Sequence, residues 1–289
     1  MLDRMRIFLL VLLACHAAQA ADVPLRTAST GHLLVDAVVG GKSGAFVIDT
    51  ASTRTLLSGF FWNGLKDRPP SIGAESIVTT QGSVMIQIVV MPSVAVGEIR
   101  RQDFEVRLTD LRMLERALGE PIAGVLGMDF LDGLVADFHS PHLTLSTVPA
   151  AAPEGAIRFE TDHDRHIRIA VTVGGQELRG ILDTGARHTS LNWAAAKALG
   201  YSRDSAELKL SAAAPAGLDG HEVSVAETPS LEVRFGPIVR KMPLGIADFG
   251  AFQTLGWGST PAVILGTDFL DGVRLVLCPS GRWLRLAYM

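Results

Sequence analysis

Two aspartates end closely similar apolar runs, in Val47-Ile48-Asp49-Thr50-Ala51-Ser52 and in Ile181-Leu182-Asp183-Thr184-Gly185-Ala186. Either stretch alone carries little information, because Asp-Thr is short enough to arise by chance. A pair is different. Two carboxyl groups held close together cannot both ionise cheaply, so one keeps its proton and the two titrate as a unit. Such a unit accepts a proton from one group while donating a proton to another, which is general acid and general base chemistry in a single site.

Whether the two aspartates meet depends on the elements that carry them, and those elements are duplicated. The segment His32–Asp49 lies on His166–Asp183 without a gap, 134 residues further along. At that offset Gly40-Gly41 matches Gly174-Gly175, Thr55 matches Thr189, Leu57 matches Leu191, and the apolar pairs Val35/Ile169 and Val39/Val173 coincide. Both copies alternate apolar and polar residues up to the Gly-Gly and then resume, the pattern of two strands joined by a tight hairpin turn. The Asp then stands at the end of the second strand. Downstream, Val125–Gly133 matches Ile264–Gly272 at an offset of 139 residues, so the second copy carries a small insertion in its middle. Each copy closes on a hairpin-like pair of strands ending at Leu143-Thr144-Leu145 and Leu284-Arg285-Leu286.

Thr147 to Gly155 is rich in Ala and Pro and lacks a pattern. The expected division is residues 1–20 as a signal peptide, 21–148 as a first lobe, 149–156 as a linker and 157–289 as a second lobe. Helices are few: Asn192 as N-cap, Trp193 to Leu199 and a stop at Gly200 form one, and Leu108 to Leu118 forms another. The fold expected is mainly β, two lobes related by an approximate two-fold axis that turns Asp49 and Asp183 toward each other.

The duplicated Asp-Thr loop, with an apolar-apolar-Gly element downstream in each copy (Val125-Leu126-Gly127 and Ile264-Leu265-Gly266), resembles the pepsin and retropepsin class of aspartic proteases. The resemblance covers essentially the whole chain after the signal peptide. The spacing from each Asp to Thr55 and Leu57, or to Thr189 and Leu191, is similar to that of retropepsin-like units, and two units fused in one chain is the pepsin arrangement. The resemblance implies an aspartic endopeptidase with catalytic Asp49 and Asp183, acting on a peptide or protein substrate with no metal and no other cofactor. The ionised Asp takes a proton from a water that attacks the peptide carbonyl, and the protonated Asp donates to the carbonyl oxygen.

Around that pair, the resemblance implies that Thr50 and Thr184 cross-link the two loops through hydroxyl bonds to the opposite backbone. Backbone N–H groups after each Asp stabilise the charged form, and Gly127 and Gly266 let the chain pass closely beneath each loop. Hairpin flaps are expected over the cleft. One tip is Gln81-Gly82, between Ile77–Thr79 and Val84–Val90, and the other is Asp219-Gly220 ahead of His221. Neither flap carries the Tyr of pepsins, as Tyr201 and Tyr288 are the chain's two tyrosines.

Two departures bear on activity. Ala51 stands where the family has Gly, and a methyl there strains the loop if the position needs φ > 0 or packs against the facing loop. Pepsins follow both glycines with a hydroxyl residue that can hydrogen-bond the carboxyls. Here the first loop offers Ser52 and the second has Ala186, so a contact that lowers the pair's pKa is missing and a weakly acidic optimum is expected. The alternative to an enzyme is an inactive pepsin-like protein that binds peptides in the same cleft of the cell envelope.

The rest of the sequence excludes more than it proposes. With 289 residues, 48% hydrophobic and 19% charged, the chain can bury a large core. Its net charge of −4, without a basic block, argues against nucleic acid as a partner. Gly40-Gly41-Lys42-Ser43 lacks the earlier Gly of a phosphate-binding loop. His139/His142 and His163/His166 are three apart, a spacing that on strands sends side chains to opposite faces, so they read as exposed loop histidines rather than metal ligands. Asp129 and Asp268 read as helix or turn caps. A monomer is expected.

Arg4 and Arg6, an apolar run from Ile7 to Ala14, and Ala18-Gln19-Ala20 before Ala21 have the layout of a secretory signal peptide cut after Ala20, which implies a secreted or periplasmic protein. The run is shorter than the ~20 residues of a spanning helix, so no stable membrane span is expected. Leu12-Leu13-Ala14-Cys15 loosely resembles a lipobox, which makes lipidation at Cys15 the minor alternative. Cleavage leaves Cys278 as the one cysteine, inside an apolar run and read as a core residue. N-terminal sequencing of the exported protein should begin at Ala21. A blocked N-terminus at a lipidated Cys15 would establish the alternative.

Overall fold

The computed structural model describes residues 20–79, 82–147, 151–162, 165–210, 214–216 and 221–289. The expected signal peptide and Cys15 therefore lie outside the described residues, apart from Ala20, as does part of the expected linker.

Each copy builds a lobe on the hairpin read from its Gly-Gly. Strand Leu33–Val39 pairs antiparallel with Lys42–Ile48, and Ile167–Val173 with Gln176–Leu182. The turns have φ of 57° and 80° at Gly40 and Gly41, and 55° and 85° at Gly174 and Gly175. Positive φ at both central positions matches the right-handed twist of the flanking strands and admits Gly at no steric cost. The second strand of each hairpin has its other edge occupied by a parallel strand, Gly124–Leu126 in the first lobe and Ala262–Leu265 in the second. The ladder continues onto the aspartates themselves, whose N–H groups donate to the carbonyls of Leu126 and Leu265, each at 3.0 Å. Each Asp is thus the last residue fixed by a sheet before its loop begins.

The closing hairpins leave their lobes. They lie side by side in one six-stranded sheet, ordered Ala20–Pro24, His142–Thr147, Leu134–His139, Val273–Cys278, Trp283–Tyr288 and Ile157–Arg158. The join between lobes is antiparallel, with Ala136 opposite Leu277, Asp137 opposite Val276 and Phe138 opposite Leu275. Asp137 and Val276 are equivalent residues of the two copies, so the pseudo-two-fold axis passes between them. Buried residues of both lobes, Phe138, Leu275, Ile48 and Leu182 among them, belong to one continuous core. Ala21 and Val23, just beyond the expected cleavage point, are buried at the edge of this sheet.

The helix Trp193–Ala198 forms as expected, with Asn192 accepting from the N–H of Ala195 at 2.9 Å. The other helix runs Arg112–Leu118 and starts later than expected. Leu108 and Thr109 are claimed by a strand, opposite Leu57 and Ser58, so sheet pairing wins over helical spacing there. Gly119, at φ 73°, ends the helix. Cys278 is fully buried against Val135 and Trp283. No helix of the described residues is long and apolar enough to cross a membrane.

Leu277 is fully buried in the strand that joins the lobes. Leu277→Ala should lower the unfolding free energy by about 2–5 kcal/mol, and calorimetry should show the whole unfolding transition moving to lower temperature. A second transition left at the wild-type temperature would show that the shared sheet does not couple the lobes.

Candidate active site

The two Asp loops meet on the pseudo-two-fold axis through their threonines. The Thr50 hydroxyl donates to the Leu182 carbonyl at 2.8 Å and accepts the Thr184 N–H at 3.1 Å. Thr184 returns both bonds, donating to the Ile48 carbonyl at 2.7 Å and accepting the Thr50 N–H at 3.1 Å. Both threonines are fully buried, and a hydroxyl that donates once and accepts once suits such a site. This lock sets the Asp49 carboxyl against the second loop at Gly185, close enough to Asp183 for its charge to raise that carboxyl. Each loop also folds back on its own carboxyl. Asp49 Oδ1 accepts the N–H groups of Ala51 at 2.8 Å and Ser52 at 2.9 Å, and Asp183 Oδ1 accepts those of Gly185 at 2.8 Å and Ala186 at 3.0 Å.

A second tier holds each loop from below. The Gly127 N–H donates to the Thr55 hydroxyl at 3.2 Å, which donates to Asp129 Oδ1 at 2.7 Å. In the other lobe the Gly266 N–H reaches Thr189 Oγ1 at 3.1 Å and Thr189 reaches Asp268 Oδ1 at 2.6 Å. A Cβ at Gly127 would lie 2.6 Å from the carbonyl carbon of Arg54, and one at Gly266 2.8 Å from that of His188, so only glycine fits beneath the loops. The reading of Asp129 and Asp268 as caps is corrected. The helix N-cap positions are Gly127 and Gly266, and the two carboxylates instead clamp Thr55 and Thr189. Their recurrence beside a recurring Thr is the signal that marks this tier.

A family model described as aspartyl protease matches residues 35–130 and 169–269, one stretch in each copy and together well over half of the chain. The chain belongs to the aspartyl protease family. Each matched stretch holds one Asp-Thr loop and its underlying Gly, one aspartyl protease unit per lobe. Comparison with curated proteins finds no match.

The departures from the aspartyl protease pattern have structural answers. Neither Ala51 nor Gly185 adopts a positive φ. Space, not conformation, requires Gly in the second loop, because a Cβ there would lie 2.4 Å from Asp49 Cγ. The Ala51 side chain instead packs at the edge of an apolar cluster of the second lobe that includes Ile181, Phe252 and Trp257. The expectation that Ser52 offers its hydroxyl to the pair is overturned: Ser52 Oγ donates to the carbonyl of Arg54 at 2.8 Å, closing its own turn. With Ala186 in the other loop, the hydrogen bonds to the two carboxyls come from backbone N–H groups.

Both aspartates keep some solvent contact, but the protein packed around them desolvates them. Burial is the first cause that raises each carboxyl. At Asp49 it is opposed by the N–H groups of Ala51 and Ser52, while at Asp183 the charge of Asp49 adds to it and lifts that group well above the usual carboxylate range.

Strands Ser71–Thr79 and Gly82–Val96 pair as a long hairpin, with Thr79 opposite Gly82, while Gln81 lies outside the described residues. Ala214–Ala216 pairs with His221–Val223, and Asp219 and Gly220 lie outside the described residues. The histidine expectations need correction too. His139 and His142 face each other across a hairpin with rings stacked 5.8 Å apart, and His166 is largely buried beside Asp162. His163 lies outside the described residues.

The raised Asp183 has a thermodynamic consequence. Its folded pKa lies above the unfolded one, so its contribution is fully present at low pH and is lost as pH rises from about 4 through the folded value. Asn retains the oxygen that accepts from Gly185 and Ala186 but cannot ionise. Asp183→Asn should therefore melt near the wild-type temperature at pH of about 3 and progressively above it toward neutrality. A melting difference constant with pH would mean that Asp183 titrates normally.

Proposed function

We propose that the chain is an aspartic endopeptidase in which Asp49 and Asp183 hydrolyse a peptide bond with a water held between them. The observation that carries this reading is the reciprocal threonine lock, which holds two desolvated carboxyls close together at the ends of two sheets. Asp183 keeps the shared proton, since burial and the neighbouring charge both oppose its ionisation. Asp49, ionised, takes a proton from the water as its oxygen bonds to the peptide carbon, and Asp183 gives its proton to the carbonyl oxygen. The resulting diol collapses as Asp49 returns a proton to the leaving nitrogen, the C–N bond breaks, and Asp183 recovers its proton. Water is consumed and the pair ends as it began. The paired strands Ser71–Thr79 and Gly82–Val96, and Ala214–Ala216 with His221–Val223, flank an extended peptide, and export through the signal sequence sets the reaction in the periplasm or outside the cell.

A second reading, a peptide-binding protein that has lost cleavage, takes its support from Ala51 at the family's Gly position. The closeness of the two carboxyls favours the enzyme. The test is incubation with an unbiased peptide library across pH, with and without a statine-type inhibitor. Inhibitable cleavage is expected over a bell-shaped pH range, and either Asp49→Asn or Asp183→Asn should reduce it by at least about 100-fold with the fold retained. A folded wild-type protein that binds peptides and leaves them intact at every pH would make the binding reading correct.

A further inference from the structure

The eight-stranded sheet of the first lobe has two faces of different character. One packs on the continuous core through Ile48, Leu57 and Val106. The other carries a row of registered neighbours that leads away from the Asp49 strand: Val47 opposite Val125, Val125 opposite Leu56, Leu56 opposite Arg107, and Arg107 opposite Ile88. Registered neighbours share a face, and residues two apart on a strand do too, so the row starts on the face of Asp49.

At 5% exposure, Arg107 is the most deeply buried Lys, Arg, Asp or Glu among the described residues. It reaches over the middle strand Gly82–Val96 to the outer strand Ser71–Thr79. Its Nε donates to Glu75 Oε1 at 2.9 Å, its Nη2 to Glu75 Oε2 at 3.4 Å, and its Nη1 to Glu105 Oε2 at 3.2 Å. Its backbone N–H donates to the Thr55 carbonyl at 3.0 Å. Thr55 is the residue whose hydroxyl takes the Gly127 N–H and bonds Asp129, so Arg107 joins the outer strand to the tier beneath the Asp49 loop.

A buried ion pair is weak evidence for stability, because desolvation offsets much of the attraction. A planar guanidinium bonded at two points to one carboxylate does fix geometry. The outer strand is where such a constraint acts, since it ends the sheet and has a neighbour on one edge only. Its ladder also slips between Ser71 and Gly73, which leaves Ile72 unpaired and exposed. In the second lobe Gly245 takes the place of Arg107, opposite Ser190 as Arg107 is opposite Leu56, and its N–H donates to the Thr189 carbonyl at 3.1 Å. A Cβ there would already lie 3.1 Å from Ser190 Oγ. The tie belongs to the first lobe.

We propose that Arg107 is a positioning residue: through Glu75 it ties the first-lobe hairpin to the floor of the Asp49 loop and so sets the opening that an extended peptide enters. It touches no reacting atom. The consequence for a peptide rests on the function proposed above, but the tie itself can be read without cleavage.

In the full-length protein, Glu75→Gln should speed hydrogen exchange at the paired amides of Ser71–Thr79 by about tenfold, the loss expected for a hydrogen bond to a charged group. Arg107→Lys, which keeps the charge but not the two-point bond, should speed them in the same direction. Glu105→Gln removes a carboxylate from the same guanidinium but on Arg107's own strand, and should leave them unchanged. With a peptide that the wild type cleaves, Glu75→Gln should raise KM about tenfold with kcat within about twofold, a split that general loss of stability does not produce. Exchange unmoved in both the Glu75 and the Arg107 variants, or moved equally by Glu105→Gln, overturns the proposal, and so does faster exchange with KM unchanged. Faster exchange in Glu75→Gln when the wild type cleaves no peptide would sink the peptidase reading and leave the tie standing.

Discussion

Two threonine hydroxyls, each donating to the other lobe's backbone and accepting an N–H in return, hold together the point on which the site depends. The bonds are short, buried and mutually saturating, so neither loop can shift without leaving a buried donor or acceptor unpaired, at a cost of about 1–3 kcal/mol for each group. That penalty keeps two acids close together although desolvation and mutual repulsion both act to separate them. The raised carboxyls are thus a consequence of the lock and not a separate feature.

The lock needs a partner elsewhere, because one contact between two lobes defines a hinge and two define an orientation. The second contact is the join of the central sheet, Asp137 opposite Val276. Both contacts pair a residue with its own repeat equivalent, so both lie on the pseudo-two-fold axis. Between them the Asp-bearing strands run through the core with neighbours on either edge, which carries the geometry of the sheet out to the carboxyls. The same construction explains the two glycines beneath the loops: a second chain must pass at backbone contact distance to donate into Thr55 and Thr189, and no side chain fits there.

What could be read from the sequence follows from the range of the interactions. Hairpins closed by Gly-Gly, the strand-end aspartates and the capped helix at Asn192 are local, and the repeat offset makes even the cross-lobe partnership of Asp49 and Asp183 legible. The central sheet was not, because the pairing of 136–138 with 275–277 has no local signature. Leu108 and Thr109 carry helical spacing yet pair as a strand, and Ser52 has the right hydroxyl in the right place but turns it to Arg54. Asp129 and Asp268 were misjudged for a related reason. A carboxylate at a helix start looks like a cap until the Thr that it holds is known to lie against it.

Comparison of the two copies separates what frames the site from what differentiates it. Thr50/Thr184, Thr55/Thr189, Gly127/Gly266 and Asp129/Asp268 are identical at equivalent positions and make equivalent hydrogen bonds. The differences fall on the residues that follow each Asp-Thr: Ala51 against Gly185 and Ser52 against Ala186. A perfectly symmetric frame would give both acids the same environment and leave their proton equally shared. The symmetry is instead broken at the tips of the two loops, without disturbing the frame. Ala51 packs against the apolar cluster around Phe252 and Trp257, whereas Gly185 leaves room for the Asp49 carboxyl, and every bond of the lock stays in place.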